Sequence, residues 1–346
     1  VVNLGVSVQN NKARNGGAVA ILGNAKLNFF ESTQSDPITL SNNQVTNNGG
    51  AIYIGDSGSL DVINRKNFVI ENNTAGFGGG LYVASTKELV LLYGTITNNK
   101  AGDLSGTYDK LTPLGSELYV ASTGVVTLKG GTIGTTNTDS YPYSIYIENG
   151  GVVNASSADV YGGVFVGGNN KTGLNILSDI TNGNFNARIY LYSNARISVE
   201  KALSGVQNIP LVTASDKLGN VMTDENSLKE WIVAEFGDRS QRQTGMNMFS
   251  LEGLSGYCLY GRDQYLLVGK IADSITIDTN GKRVLYEGEE IIGKFEISLE
   301  GKTDFSFLDN ILGKEFGWNL LDDYTTLTTG SDYSGRTWNR TVTNFP

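Results

Sequence analysis

A short alternation of apolar and aromatic residues recurs along the first 200 residues. In each copy two apolar residues flank a central position, which is the period-two pattern of a half-buried β-strand. The copies are Val19–Ile21, Ile52–Ile54, Leu81–Val83, Leu118–Val120, Ile145–Ile147, Val164–Val166 and Ile189–Leu191. Seven copies of one pattern indicate an internal repeat.

Further strands follow each copy at regular distances. Six of the seven copies are followed, eight residues after their first apolar position, by a second apolar pair: Leu27/Phe29, Leu60/Val62, Leu89/Leu91, Val126/Leu128, Val153/Ala155 and Ile197/Val199. The copy at Val164 does not follow this rule. A third strand is expected in the middle copies at Ile96, Ile133 and Val160. The repeat is therefore predicted to be a coil of three short strands.

The spacing of the copies predicts the fold. Successive copies begin 33, 29, 37, 27, 19 and 25 residues apart, with Gly and Asn between the strands and only 5 Pro in the chain. Short strands of this kind are typical of solenoids. We predict an all-β chain in which residues 1–200 form a right-handed parallel β-helix, with loops over 31–37 and 100–115.

Paired asparagines punctuate the predicted coil. An apolar-x-Asn-Asn pattern occurs at Val8/Asn10/Asn11, Val45/Asn47/Asn48, Ile70/Asn72/Asn73 and Ile96/Asn98/Asn99. Asn tolerates the left-handed backbone region, and stacked Asn side chains satisfy one another between strands. We interpret these residues as structural corners.

At these residues the chain resembles a known class of proteins. Asn15-Gly-Gly-Ala-Val19 and Asn48-Gly-Gly-Ala-Ile52, together with the apolar-x-x-Asn elements, resemble the repeats of polymorphic outer membrane proteins and related adhesin-like surface proteins. The resemblance covers roughly residues 1 to 200. It implies a secreted binding rod of the autotransporter-passenger kind, displayed outside the cell on the bacterial surface and associated with the outer membrane.

The repeat stops near residue 200, and two further modules are predicted. Residues 201–272 are interpreted as a mixed cap over the open solenoid end, with one amphipathic helix at 224–236 and a hairpin that turns at 261–263. Residues 273–346 are predicted to form a small β-sandwich-like domain, with strands at 275–277, 283–286 and 293–299.

Composition narrows the possible functions. Net charge is -9 and the isoelectric point about 4.7, which argues against nucleic acid as a partner. His is absent, so His-based catalysis and His-ligated metal sites are excluded. No apolar run is long enough to insert this segment into a membrane as a helix. The chain opens Val-Val-Asn-Leu-Gly without Met, so we expect either a removed signal peptide or a part of a longer protein.

Some parallel β-helices are enzymes, so the positions of the acidic residues bear on the function of this chain. Acidic residues of the predicted coils share no repeat position: Asp56, Asp61, Glu71, Glu88, Asp103, Glu117, Asp139, Glu148 and Asp159. Enzymes that cleave polysaccharides by hydrolysis or elimination need such acidic groups to lie close together. We therefore predict a non-enzymatic protein without cofactor or metal. A β-helix polysaccharide lyase or glycoside hydrolase, a phage tail-spike-like protein and an extracellular sheath subunit stay open as alternatives.

The central position of the repeated strand carries the functional hypothesis. If the flanking apolar residues point inward, the central side chains point outward and stack in a column one strand apart: Tyr53, Tyr82, Tyr119, Tyr146, Phe165 and Tyr190. Such a column can be a structural stack that shields the sheet. It can also be a stripe that binds a host surface protein or a glycan, because Tyr combines a flat apolar ring with a polar tip.

Overall fold

A computed structural model describes residues 6–29, 37–61, 67–102, 114–135, 143–168, 172–177, 185–200, 208–229, 231–245, 248–270, 274–278 and 294–298. The chain divides into two compact units. The first comprises Val1–Leu254 and Gly261–Val268, and the second comprises Ser255–Tyr260 and Gly269–Pro346.

Successive coils of four short strands begin the first unit. They are β1 (Val6–Gln9), β2 (Lys12–Asn15), β3 (Val19–Ile21) and β4 (Lys26–Asn28); β5 (Ile38–Ser41), β6 (Gln44–Asn48), β7 (Ile52–Ile54) and β8 (Ser59–Asp61); β9 (Phe68–Glu71), β10 (Thr74–Ala75), β11 (Leu81–Val83) and β12 (Leu89–Leu91); β13 (Thr95–Thr97), β14 (Lys100–Ala101), β15 (Leu118–Val120) and β16 (Val125–Leu128). Each strand pairs in parallel with its counterpart one coil away, as Leu81 does with Leu118.

Later coils have fewer and longer strands. They are β17 (Thr132–Ile133), β18 (Ile145–Ile147), β19 (Val152–Ala155), β20 (Asp159–Gly167), β21 (Thr172–Ile176), β22 (Phe185–Tyr192), β23 (Arg196–Val199), β24 (Ile209–Ala214), α1 (Glu225–Leu228), β25 (Ile232–Phe236), α2 (Arg239–Gly245), β26 (Phe249–Leu251), β27 (Tyr257–Arg262) and β28 (Tyr265–Lys270). The second unit contains β29 (Ser274–Asp278) and β30 (Lys294–Ser298).

Parallel columns of strands confirm the predicted β-helix. The first column, β3, β7, β11, β15 and β18, holds the repeated pattern in register. From β7 onward its flanking residues point inward and are buried, with Ile52, Leu118 and Ile147 each at 0% exposure. The second-strand apolar pairs likewise form a parallel series from β12 through β16, β19, β21 and β23. Burial of this apolar interior is the main favourable term of a solenoid without disulfides.

The prediction of three strands per coil is wrong for the first coils. A fourth column, β2, β6, β10 and β14, forms its own parallel sheet between the third and first columns. Its strands are as short as two residues, for example Thr74–Ala75. Such a strand leaves little alternation to read in the sequence, but its backbone groups still find partners one coil away.

The copy at Val164, which does not follow the eight-residue rule, lies in a strand that merges two columns. Val160 and Val164 belong to one strand, β20, which pairs with β17 through Val160 and with β18 through Val164. Only three residues separate the two positions, so no fourth-column strand fits between them. In the following second-column strand, β21, Leu174 is the partner of Val153, so the second apolar position lies ten residues after Val164 and not eight.

The amphipathic helix predicted at 224–236 is wrong beyond its first turn. Asp224 does cap α1, since its carboxylate accepts a 2.8 Å hydrogen bond from the Ser227 amide. The chain leaves the helix at Lys229 (φ -59°, ψ 119°) and continues as β25. Ala234 pairs with Ile197 of β23 and with Leu266 of β28, so neighbouring strands supply backbone partners that override local helix preference. A second helix, α2, was not predicted.

Parts of the C-terminal predictions fall on described residues. The expected hairpin is present as β27 and β28, with Asp263 (φ 49°) in the turn. In the second unit the strands expected at 275–277 and 293–299 are present as β29 and β30, an antiparallel pair. The strand expected at 283–286 lies outside the described residues, as do residues 31–36 and 103–113 of the predicted loops. Neither α1 nor α2, the helices of the described part, has the length or apolar character to span a membrane.

Candidate ligand-binding surface

Five aromatic rings stack along the outer face of the first column. This aromatic column consists of Tyr53, Tyr82, Tyr119, Tyr146 and Phe165, whose neighbouring ring centroids lie 5.4, 4.9, 5.0 and 4.6 Å apart. The planes of successive rings differ by 20°, 7°, 10° and 3°. Parallel pairing places each ring directly over the next, because Tyr53, Tyr82 and Tyr119 occupy the same register position. The outward orientation expected from the sequence puts them on one face.

Tyr190 does not join the stack. Its backbone is in register with Phe165, but its ring meets Tyr143 edge-on at a centroid distance of 4.9 Å. Tyr143 also tilts against Phe165 at 5.1 Å, so it occupies space beside the end of the column. Tyr192 from the same strand packs against Phe165 at 5.8 Å. The structure therefore brings five of the six predicted residues together and separates the sixth.

Burial divides the aromatic column into two parts. Tyr119, Tyr146 and Phe165 are 5%, 3% and 0% exposed, whereas Tyr53 and Tyr82 are only half-buried. Tyr143 and Leu114 pack against the buried part. Phe77 meets Tyr119 edge-on at 5.6 Å. A ligand can therefore reach the column at its Tyr53 and Tyr82 end, while the other three rings act as core.

A carboxylate lies near the tyrosine hydroxyls. Glu148 follows β18, accepts a 2.9 Å hydrogen bond from the Ser122 amide and is also bonded by the Tyr119 hydroxyl. Desolvation, together with the negative charge of Glu148, raises the pKa of Tyr82 to about 12. The same two causes raise the pKa of Tyr119 and Tyr146 still further. The tyrosines are thus neutral hydrogen-bond donors over the physiological range.

An asparagine ladder, buried from Asn43 to Asn99, crosses the coils at the corner between the third and fourth columns. Asn11, Asn43, Asn73 and Asn99 are linked by side-chain hydrogen bonds of 2.9 Å. The residue preceding each is an asparagine with positive φ, for example Asn72 at 57°. This confirms the corner interpretation for three of the predicted pairs. The pair Asn47/Asn48 is wrong as a ladder position, because Asn42/Asn43 takes its place.

Glu117 ends this asparagine ladder, which the sequence did not predict. Its carboxylate accepts a 2.6 Å hydrogen bond from Asn99 Nδ2, and its side chain is buried. Desolvation raises the pKa of Glu117 to about 8, although the hydrogen bonds from Asn99 act in the opposite direction. The sequence carries one signal for this position: Glu117 precedes the repeated strand where Gly80 stands in the previous coil.

Acidic side chains of the described coils do not converge. No group of three or more Asp, Glu or Cys that could hold a metal ion occurs in the described ranges. Glu88 instead begins a polar series on the second column, bonded by Thr127, which in turn accepts a 3.0 Å bond from Asn154. Asn175 continues the series with a 2.7 Å bond to Asn154. Asp103 and Asp139 lie outside the described residues.

Comparison with known proteins identifies one repeat. Residues 37–55 match the family model of the Chlamydia polymorphic membrane protein repeat. The matched segment contains β5, β6 and β7, three of the four strands of the second coil. That repeat is typical of adhesin-like surface proteins of the outer membrane, as the resemblance of the Gly-Gly-Ala motifs implies. No curated protein and no solved structure matches the chain.

Proposed function

We propose that this chain is a non-enzymatic, surface-displayed binding protein of adhesin type, which recognises a host surface protein or a glycan through the outer face of its first column. The observation that carries the proposal is the polymorphic membrane protein repeat, because it coincides with one coil of the β-helix. Repeat solenoids commonly act as extended binding surfaces, since every coil displays the same outward positions.

Aromatic side chains at the accessible end of the column support this proposal. Tyr53 and Tyr82 present apolar ring edges and hydroxyl groups side by side, and tyrosine is enriched where proteins bind partners. The buried rings stacked behind Tyr82 hold Tyr53 and Tyr82 in place. Binding a ligand therefore adds no further cost in side-chain entropy. A rigid aromatic pair on a regular sheet is a preorganised contact surface.

The test is a binding screen of the purified chain against arrays of glycans and of host surface proteins. We expect a reproducible ligand whose binding is lost in the double variant Tyr53→Ser/Tyr82→Ser. Tyr93→Ser is the matched control, because Tyr93 is an exposed tyrosine outside the aromatic column. If the double variant still binds, the ligand site lies outside Tyr53 and Tyr82. Absence of any ligand on both arrays would contradict the proposal.

Surface display is tested separately in the organism that produces the protein. Antibody raised against the purified chain should label intact cells, and the label should fractionate with the outer membrane. Labelling seen only after permeabilisation would contradict surface display while leaving the binding result intact.

A further inference from the structure

The aromatic column ends at Tyr53 because the first coil has no ring at the next position. Ala20 pairs in register with Tyr53 and is exposed. Among the described residues, the ring contact of Tyr53 is with Tyr82 on its other side. One face of the Tyr53 ring therefore lies toward the small Ala20 side chain. The space beside that face has the thickness of one ring and is here called a shelf. We call this feature the Ala20 shelf, formed by Ala20, Tyr53 and Leu22.

The dimensions of the Ala20 shelf follow from the stack itself. Within the column, rings lie 4.6 to 5.4 Å apart and nearly parallel, so a coil position accommodates one flat six-membered ring. At the level of Ala20 that space is unfilled by its own side chain. Leu22, two residues after Ala20 and just after β3, is 55% exposed. An exposed leucine close in sequence to a half-buried aromatic ring adds apolar surface that a ligand could contact.

Two polar groups, the Tyr53 hydroxyl and the Asp56 carboxylate, lie on neighbouring residues of the chain. The ring and hydroxyl of Tyr53 overlie Gly55, where an added Cβ would lie 2.9 Å from the hydroxyl oxygen. Asp56 follows Gly55 directly and is exposed. One carboxylate oxygen of Asp56 accepts a 3.1 Å hydrogen bond from the Gly23 amide, which fixes the carboxylate beside the first coil. The residues that flank the shelf along the chain thus carry a hydroxyl at Tyr53 and a carboxylate at Asp56 that the Gly23 amide holds.

From this arrangement we infer that the Ala20 shelf binds a pyranose ring, which stacks on Tyr53 in the position that the next ring of the aromatic column would take. A pyranose has an apolar C–H face for the tyrosine ring and hydroxyl groups around its edge for Asp56. A phenyl or indole side chain would instead bring an apolar edge to the carboxylate, which would lose hydration without a hydrogen bond in return. The inference deepens the proposed function and rests on it, since it assigns the glycan class and the subsite.

The shelf also distinguishes the ring of the column that can bind a ligand from the rings that stabilise the fold. Within the described ranges, Tyr53 has a stacked ring on one face and Ala20 at the next position, whereas Tyr119 has a ring on both faces and is buried. A ligand ring can therefore stack on the column only at its first member. Substitution at position 20 should block the site without touching the rings that hold the fold.

The experiment uses the full chain and saturation-transfer NMR with methyl pyranosides of glucose, galactose and N-acetylglucosamine, with p-cresol as a flat aromatic probe. We expect saturation of the C–H protons on one face of a pyranoside. The variant Ala20→Tyr should remove this signal and raise the melting temperature, because the added ring extends the stack. Ala20→Ser is the matched control and should bind as the wild type does.

Tyr53→Leu provides a second test that does not depend on the folding of Ala20→Tyr, and we expect it to weaken pyranoside binding about tenfold or more. Unchanged binding in either blocking variant, or binding of p-cresol without any pyranoside, would overturn the inference. Array binding that persists in Ala20→Tyr would overturn the inference and leave the proposed function standing. Absence of ligands in both assays would contradict both.

Discussion

Burial disfavours the ionised form of the Glu117 carboxyl group. Its carboxyl group lies at the end of the asparagine ladder, and desolvation raises its pKa from 4.5 to about 8. Between these values the folded chain retains a proton that the unfolded chain has released. Stability from this group is therefore complete below pH 4.5 and falls as the pH rises to about 8.

Replacing Glu117 with Gln should remove this pH dependence. The free energy of unfolding of the wild type, measured by denaturant titration from pH 4.5 to 9, should fall relative to that of Glu117→Gln across the window. Glu200→Gln is the control, because Glu200 is exposed. Parallel pH profiles for the wild type and Glu117→Gln would show that the buried carboxyl does not titrate in this range.

Asn73 provides a second prediction at the scale of single residues. It is 0% exposed, and its Nδ2 donates to Leu40 O, Glu71 O and Asn99 Oδ1. Asn73→Ala leaves buried backbone and side-chain partners unsatisfied, at a cost of roughly 2 to 4 kcal/mol. Asn47→Ala is the matched control, because Asn47 belongs to a similar sequence pair but lies outside the ladder. Equal losses of unfolding free energy in the two variants would contradict the ladder as the cause.

At the scale of elements, the first-column strands combine core and surface functions on one outer face. Tyr119 has a stacked ring on each side and is buried, whereas Tyr53 has one stacked neighbour and is half-buried. Strands β7 and β15 thus present the same residue type at the same register position in two environments. The difference comes from what packs over each ring, since Phe77 and Leu114 belong to segments outside these strands.

Single substitutions along the column should reproduce this division. Tyr119→Ser and Tyr146→Ser should each cost about 3 kcal/mol or more of unfolding free energy, because they remove a buried ring. Tyr53→Ser should cost less than about 1 kcal/mol. Chemical denaturation of the three variants measures the difference. The triple variant Tyr82→Ser/Tyr119→Ser/Tyr146→Ser would then lose stability and binding together, and an unchanged melt in that variant would contradict the structural role of the buried rings.

At the scale of the whole molecule, no three acidic groups of the described residues gather at one place that could hold a metal ion. His is absent from all 346 residues, and Glu117 and Glu88 belong to separate polar series. Glu117, the acid with the most strongly raised pKa, points into the coil and bonds Asn99. Its carboxyl group is therefore a hydrogen-bond partner of the asparagine ladder.

The corresponding prediction is that the purified chain releases no product from polysaccharides. Incubation with a panel of uronic-acid and neutral polysaccharides, with and without Ca²⁺, should yield neither reducing ends nor unsaturated uronates above background. A lyase of known specificity is the positive control for each substrate. Product formation that scales with the concentration of the chain would contradict the prediction and favour the carbohydrate-active alternative.

The sequence by itself determined the parallel β-helix and the inward and outward faces of its first column. Ile52 and Ile54 alternate with Tyr53 because successive strand residues face opposite sides, which is a local property that periodicity reveals. Paired asparagines likewise mark corners because the first residue of each ladder pair adopts positive φ, as Asn72 does.

Tertiary structure alone decided which of these local options was used. Ile232–Phe236 has apolar spacing compatible with a helix, but the open edges of β23 and β28 supply a ladder that makes it a strand. Asn43 and Asn47 stand in similar sequence pairs, and only Asn43 meets the asparagines of the adjacent coils. Tyr119 and Tyr53 share one motif, and distant segments bury only the first. In each case the deciding partners are separated along the chain by many residues, so local patterns cannot specify them.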